Sequence, residues 1–367
     1  LKLDARALLR TLGPALGLAA AWMLFAVLAG RTFTSWANLQ IMLVQTAVVG
    51  TAAVGATWII VSGGIDLSVG STLALGTMVI ALLLEAGASP GLAALGGIAS
   101  ATLVGAAIGA LVIGELGRVI AAVAALTVGA LLGRSHGLAI GVASGGALVL
   151  ALGWGAPKLL GKLTLSPFIV TLGLWGALRG LAKGLGDNKP IYPSDIGWLR
   201  DAMNLAPSGV FSVLPPGVCV LIAVSSVAAL ALKFTVFGRH ALAVGSNEET
   251  ARLCGVRVER VKLGVYMLGL ACAGIASVLQ FSYLSMGDPT TAQGYELKVI
   301  AAVVIGGASL SGGQGSVGGA LIGALIMTVV DNGCTKVGLD NWVQELATGG
   351  IIVAAVALDR VRVRSTT

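Results

Sequence analysis

Residues 39–86 read LQIMLVQTAVVGTAAVGATWIIVSGGIDLSVGSTLALGTMVIALLLEA, two apolar runs on either side of the glycine pair Gly63 and Gly64. Neither run alternates polar with apolar as a half-buried strand does, and the first, 39–61, has the length of a bilayer crossing. Inside lipid every backbone N–H and C=O needs a partner within the protein, which a helix supplies locally. The stretch therefore predicts two membrane-spanning helices joined by a turn.

The same pattern recurs outward in both directions. Apolar runs lie at 12–29, 39–61, 70–86, 91–114, 119–133, 138–154, 167–185, 210–233, 263–284, 297–308, 317–331 and 343–358, twelve in all. Those near 119, 297 and 317 fall short of the roughly 20 residues that cross a bilayer, and are expected as tilted pieces, half-helices or extensions of their neighbours. With 56% hydrophobic and 11% charged residues and a mean hydropathy of +0.96, the 367-residue chain has too little polar surface to clothe a soluble globule. It reads as an all-α, polytopic helical membrane protein, not a β-barrel, and its 54 glycines suit close helix packing.

Lys2, Arg6 and Arg10 precede the run at 12–29, which is too long for a signal-peptide core and is taken as an uncleaved first span. Putting the N-terminus inside places fifteen Lys and Arg on the cytoplasmic face against eight on the other, with both termini cytoplasmic and an even number of spans. The net charge of +7 is thus a matter of topology, and the scattered basic residues form no stripe for nucleic acid. Cys219, Cys254, Cys272 and Cys334 lack CxxC spacing, with only His136 and His240 to assist, so no metal site is expected.

Two hydrophilic segments fall on opposite faces. Residues 186–208 carry Pro190, Pro193, Pro207 and three aspartates, and are expected as an outer, periplasmic loop with at most one short surface helix. Residues 234–262 are basic and inner. Within them Ser246, Asn247, Glu248, Glu249, Thr250, Ala251, Arg252, Leu253, Cys254 and Gly255 offer an N-cap at Ser246 or Asn247, acidic residues in a first turn and a glycine stop, the pattern of a short helix. Such a helix needs something to pack against.

An internal echo links two turns: Gly63, Gly64, Asp66 and Ser68 recur as Gly306, Gly307, Ser309 and Ser311 in the shared pattern GGxxLSxG, both turned to one face. Asp66 is costly near membrane depth unless paired. It is either a gate residue or, with Ser68, a cap for the N–H groups opening the next helix. Residues 310–314 spell LSGGQ, the nucleotide-touching signature of ATP-binding-cassette ATPases, but without a P-loop the match carries no nucleotide chemistry. No nucleophile and base pair is present, so no catalytic residue is assigned.

The chain resembles the permease subunits of sugar ABC importers, the group of the ribose, xylose and galactose systems. The resemblance rests on SGGIDLSVGS at 62–71, SPFIVTLG at 166–173, GRHALAVGSNEETARLCGV at 238–256 and AAVVIGGASLSGGQG at 301–315, spread in order along the chain. It implies a single transmembrane permease domain over 1–367 with about ten core helices. Residues 114–165 depart from the family pattern and read as an inserted helical hairpin, bringing the total to twelve; there Gly129, Gly133, Gly137, Gly141 and Gly145 recur every fourth residue.

The resemblance further implies that the helix at 248–254 is a coupling helix docking on a separate cytoplasmic ABC ATPase. ATP and Mg would be bound there, with no cofactor on this chain. The remaining implied partners are a second copy of the chain, a periplasmic sugar-binding protein and the lipid bilayer of a bacterial inner membrane, with no nucleic acid. For a sugar path, amides and aromatics on helix faces are the candidates: Gln45, Trp58, Gln280, Tyr283 and Asn332, with Gln40 and Gln293 also possible from composition, although such side chains also tie helices together. The rival substrates are nucleosides, branched-chain amino acids or another small solute, and the rival mechanism is ion-coupled secondary transport.

Overall fold

The computed structural model describes residues 5–120, 122, 163–205 and 214–364. Its helices in chain order are α1 (Ala5–Ala29), a single turn α2 (Arg31–Thr34), α3 (Trp36–Val61), α4 (Val69–Glu85), α5 (Pro90–Val112), α6 (Pro167–Leu185), α7 (Pro216–Phe234), α8 (Val236–Ser246), α9 (Glu248–Leu253), α10 (Val258–Leu284), α11 (Tyr295–Ile305), α12 (Val317–Val337) and α13 (Asn341–Arg364). Six of these, α3, α5, α6, α7, α10 and α12, are long and apolar enough to cross a membrane. The inserted hairpin expected at 114–165 lies largely outside the described residues.

The opening stretch forms the axis. Twenty of the 26 residues of α3 are buried, whereas α6 buries only Val170, Thr171, Leu178 and Ala182 and exposes Phe168, Ile169, Leu172 and Leu181. A helix that is apolar all round belongs inside a bundle, and one with exposed apolar residues fits a lipid-facing position. α10 approaches α3 so closely that a Cβ on Gly55 would overlap the Gly269 carbonyl. Small residues at that crossing let two backbones meet where lipid offers no hydrophobic drive.

Polar residues tie the bundle at one end. The Asn38 and Asn332 side-chain amides exchange hydrogen bonds of 2.8 and 3.1 Å, joining α3 to α12, and Asn38 also donates to the Phe33 carbonyl at 2.8 Å. This pair explains why α12 is longer than its apolar run. The run stops at 331, but Asp331 and Asn332 both find partners, so the helix continues to Val337 and reaches 21 residues, long and apolar enough to cross a membrane. α11 is a true short element of 11 residues, about 16 Å at 1.5 Å per residue, roughly half the hydrocarbon core. In a double-mutant cycle on detergent-solubilised protein, Asn38→Ala and Asn332→Ala should show a coupling of about 1 kcal/mol in thermal unfolding, the size typical of interhelical hydrogen bonds in lipid. Strictly additive losses would show that the two amides do not support each other.

Residues 186–205 are held down on the bundle end that carries the Asn38–Asn332 pair. Ile191 and Gly287 pair as an antiparallel bridge (2.8 and 2.9 Å), Ser282 Oγ donates to the Leu199 carbonyl, and the one helical piece is a 3-10 turn, Gly197–Arg200. Residues 234–262 are more helical than the sequence predicts. α8 occupies 236–246 because Thr235 caps it, accepting from the Gly238 N–H at 3.0 Å, and Phe237 anchors it by stacking on Trp58 of α3 at 5.6 Å.

Candidate functional site

Two places concentrate chemistry, one at each end of the bundle. At the first, α9 begins where Asn247 Oδ1 accepts the Thr250 N–H at 2.9 Å, and it stops at Gly255, whose φ of +84° disfavours a side chain. Of the two predicted caps the structure uses Asn247, with Ser246 ending α8. A helix this short is unstable alone. Here it is clamped to α10: Glu248 meets Lys262 at 2.6 Å and Arg252 at 3.5 Å, while Arg252 also pairs with Glu259. The hydrogen bond and charge of Glu259, with Glu248 adding to them, push the Arg252 guanidinium above its ordinary range. Ala251 is buried against the bundle, Glu249 and Thr250 are exposed, and Leu253 projects with 88% of its surface free.

Beneath α9 the two echoing turns touch each other. Gly313 N–H donates to the Val61 carbonyl at 2.9 Å, and Gly245, at the end of α8, rests on that carbonyl so closely that a Cβ would overlap it. Gly63, Gly64 and Ser311 line a cavity of about 240 Å³ with Ser246, Asn247 and Glu248. The echo is also one of bonding. Asp66 Oδ1 accepts from the Ser68 N–H (2.7 Å) and Oγ–H (2.6 Å), and Ser309 Oγ accepts from the Ser311 N–H at 3.3 Å, the same two-residue reach in both turns. Ser68 makes no side-chain bond to the start of α4, so the Asp66 contact shapes the turn itself, as an Asx turn does, and does not reach into the helix. Gly306 and Gly307 close α11, with Gly307 at φ +93°.

At the opposite end, a cavity of about 350 Å³ opens among α3, α10, α11 and α12. It brings together four of the five path candidates, Gln45, Gln280, Tyr283 and Asn332, and adds Tyr295, Lys298, Asp331 and Gln344. Gln280 is oriented by donating to Thr291 Oγ1 at 2.9 Å. Trp58 is elsewhere, fully buried under α8. A second cavity of about 630 Å³ adjoins the first and is lined by Trp175, Gln293, Glu296, Lys298, Asp331 and Gln344 among others. There Trp175 Nε1 donates to Glu296 Oε1 at 3.1 Å, linking α6 to α11. Amides, carboxylates and aromatic faces of this kind can bind a neutral polyhydroxylated solute through paired hydrogen bonds and stacking.

Sequence reasoning did not select Lys298, Trp175 or Gln344. Lys298 carried a usable signal, as a charge inside an apolar run; Trp175 and Gln344 carried none, since their helices meet α11 only in three dimensions. The four cysteines are free thiols dispersed through the structure.

A family model described as "Branched-chain amino acid transport system / permease component" matches residues 115–356. The chain is 32% identical to the "Ribose import permease protein RbsC" of Bacillus subtilis (strain 168), over 96% of this chain and 93% of that protein. It is also 32% identical to the "D-allose transport system permease protein AlsC" of Escherichia coli (strain K12), over 92% of this chain and 87% of that one. With the "L-arabinose transport system permease protein AraH" of the same organism it shares 36% identity over 55% of this chain and 60% of that protein. No solved structure matches it.

Proposed function

The chain belongs to the permease-component family of sugar ABC importers, a family of multi-pass inner-membrane proteins, and from that premise we propose that it carries a small sugar, a pentose or hexose, into the cytoplasm. The observation that carries the substrate class is the similarity over nearly the whole chain to permeases named for ribose and allose. The amide and aromatic lining of the paired cavities supports it, because each such side chain can meet a hydroxyl without a charge on the solute.

The relatives are named as transport permease proteins and not as enzymes, and in our reading a separate ABC ATPase binds ATP and Mg and drives this chain. In the proposed assembly two copies of the chain form the pore, a periplasmic binding protein delivers sugar at the end carrying residues 186–205, and α9 docks on the ATPase as the coupling helix. Both termini are then cytoplasmic and 234–262 is the coupling loop. Because α9 is clamped to α10 by ion pairs and rooted on both glycine turns through α8, a push on α9 reaches α3, α4, α11 and α12 as a rigid-body displacement.

The test is uptake. The permease, purified with its neighbouring gene products and reconstituted in vesicles, is expected to accumulate radiolabelled ribose or allose when ATP is supplied to the ATPase side. Equal uptake driven by an ion gradient with no ATPase present would instead establish a secondary transporter.

A further inference from the structure

At the end of the bundle that carries α9, two apolar surfaces stop. Along α7 the exposed Ile222, Val227 and Leu230 end at Phe234, and along α10 the exposed Met267 and Leu268 lie about two helical turns from Arg260. Where they stop, a pocket of about 390 Å³ is lined by Arg257, Arg260 and His240 together with the apolar Val236, Phe237 and Val261. The two arginines differ from their basic neighbours. Arg252 and Lys262 are taken up by Glu248 and Glu259 in the clamp on α9, whereas Arg257 and Arg260 are exposed and pair with no carboxylate among the described residues. The pocket also takes in the start of α10, where no side chain caps the helix and its dipole is positive.

We propose that this pocket binds the phosphate headgroup of an anionic phospholipid, whose chains lie on the apolar surfaces of α7 and α10. The proposal goes beyond the transport reading and takes from it only that residues 234–262 are cytoplasmic, so the lipid belongs to the inner leaflet. A guanidinium presents its N–H groups as a planar fork that matches two phosphate oxygens, and Arg257 and Arg260 supply two such forks beside a positive helix end. Basic pockets between spanning helices on the cytoplasmic side are suited to lipid headgroups. A soluble phosphate would use only the charged part of the pocket. A lipid also uses Val236, which is 57% exposed, and the neighbouring Phe234, which is 62% exposed, neither of which water favours. A protein docking on α9 meets Leu253 and the polar side chains around it, whereas this pocket continues the surface of helices that face lipid.

The experiment titrates phosphatidylglycerol into the full-length permease in a non-ionic detergent and reads bound lipid by native mass spectrometry. Wild type is expected to retain it in preference to phosphatidylcholine, and Arg257→Gln/Arg260→Gln to bind it at least ten-fold more weakly, since each basic residue near a headgroup contributes to the attraction. Lys183→Gln/Lys189→Gln removes the same charge at the end carrying residues 186–205 and should bind as wild type does. Arg257→Lys/Arg260→Lys keeps the charge without the fork and should fall between. Unchanged phosphatidylglycerol binding by the glutamine variant overturns the proposal. Glycerol phosphate, a headgroup without chains, should fail to displace the lipid at equal concentration; displacement would make the pocket a soluble-phosphate site and overturn the lipid. Lost association with the ATPase subunit in the glutamine variant, with lipid binding intact, would assign the pocket to protein docking instead. The lipid measurement uses the permease alone, so its outcome is separate from that of the uptake assay, where absence of ATP-driven transport by the wild-type assembly overturns the transport reading.

Discussion

Leu253→Asp is expected to abolish ATP-driven uptake and weaken association with the ATPase subunit at least ten-fold, while the thermal midpoint of the isolated permease stays unchanged. Leu253 is 88% exposed at the tip of α9, in a segment whose other exposed side chains are charged or polar, including Glu249, Thr250 and Arg252. Unlike the exposed leucines of α6, it lies on a polar loop and has no lipid-facing helix to account for it. Burying a leucine side chain is worth about 1.5–3 kcal/mol, so losing that burial alone weakens binding roughly ten- to hundred-fold. A carboxylate adds the cost of desolvating an unpaired charge. Nothing in the fold depends on the side chain, which is why the permease should still assemble. Glu249→Arg, beside it and equally free of the bundle, should reduce docking in the same assay by a smaller factor. Unchanged uptake and association in both variants would show that α9 is an ordinary solvated loop.

Gly245→Val should have the other large effect, on the permease itself. A Cβ at this position would overlap the Val61 carbonyl and come within 2.8 Å of the Gly313 nitrogen, the two backbone atoms whose hydrogen bond joins the glycine turns. Neither neighbour is a flexible side-chain end that can swing away, so α8 must lift off the turns. Overpacking of this kind costs about 3 kcal/mol or more. The thermal midpoint should fall and ATP-driven uptake should be lost, with Gly245→Ala showing the same changes to a smaller degree. Gly184 in α6 is the control: a Cβ there meets nothing within 4 Å, and Gly184→Val should leave both readouts close to wild type. A Gly245→Val variant with normal stability and uptake would show that α8 does not need to sit on the two turns.

Much of the fold was legible because bilayer solvation imposes a simple code. Apolar runs at 39–61, 167–185 and 210–233 return as α3, α6 and α7, with ends shifted by a few residues. The code weakens where polar residues are satisfied by distant partners. The run at 317–331 looked short because hydropathy drops at Asp331 and Asn332, yet Lys298 and Asn38 accept their polarity and the helix runs on. α8 was missed because its sequence, VFGRHALAVGS, is too polar for a span, and its stability comes from the Trp58–Phe237 stack and a threonine cap.

The site divides in the same way. Capping chemistry is local, so the start of α9 at Asn247–Glu248 and its stop at Gly255 could be read from adjacent residues. The GGxxLSxG echo was likewise visible, but not that its two copies touch, because the backbone bond from Gly313 to Val61 spans most of the chain and leaves no mark on either segment. By itself the sequence determined the solvent, the helical class and the two turns, which depend on composition or on neighbours within a few residues, while its motifs in order along the chain carried the family resemblance. Only the tertiary structure decided which polar side chains share a cavity. It gathered Gln45, Gln280, Tyr283 and Asn332, sent Trp58 to the core and set Lys298 against Asp331. Those juxtapositions follow from how helices far apart in sequence rotate against one another, and that rotation is set by packing at small-residue crossings such as Gly55 with Gly269.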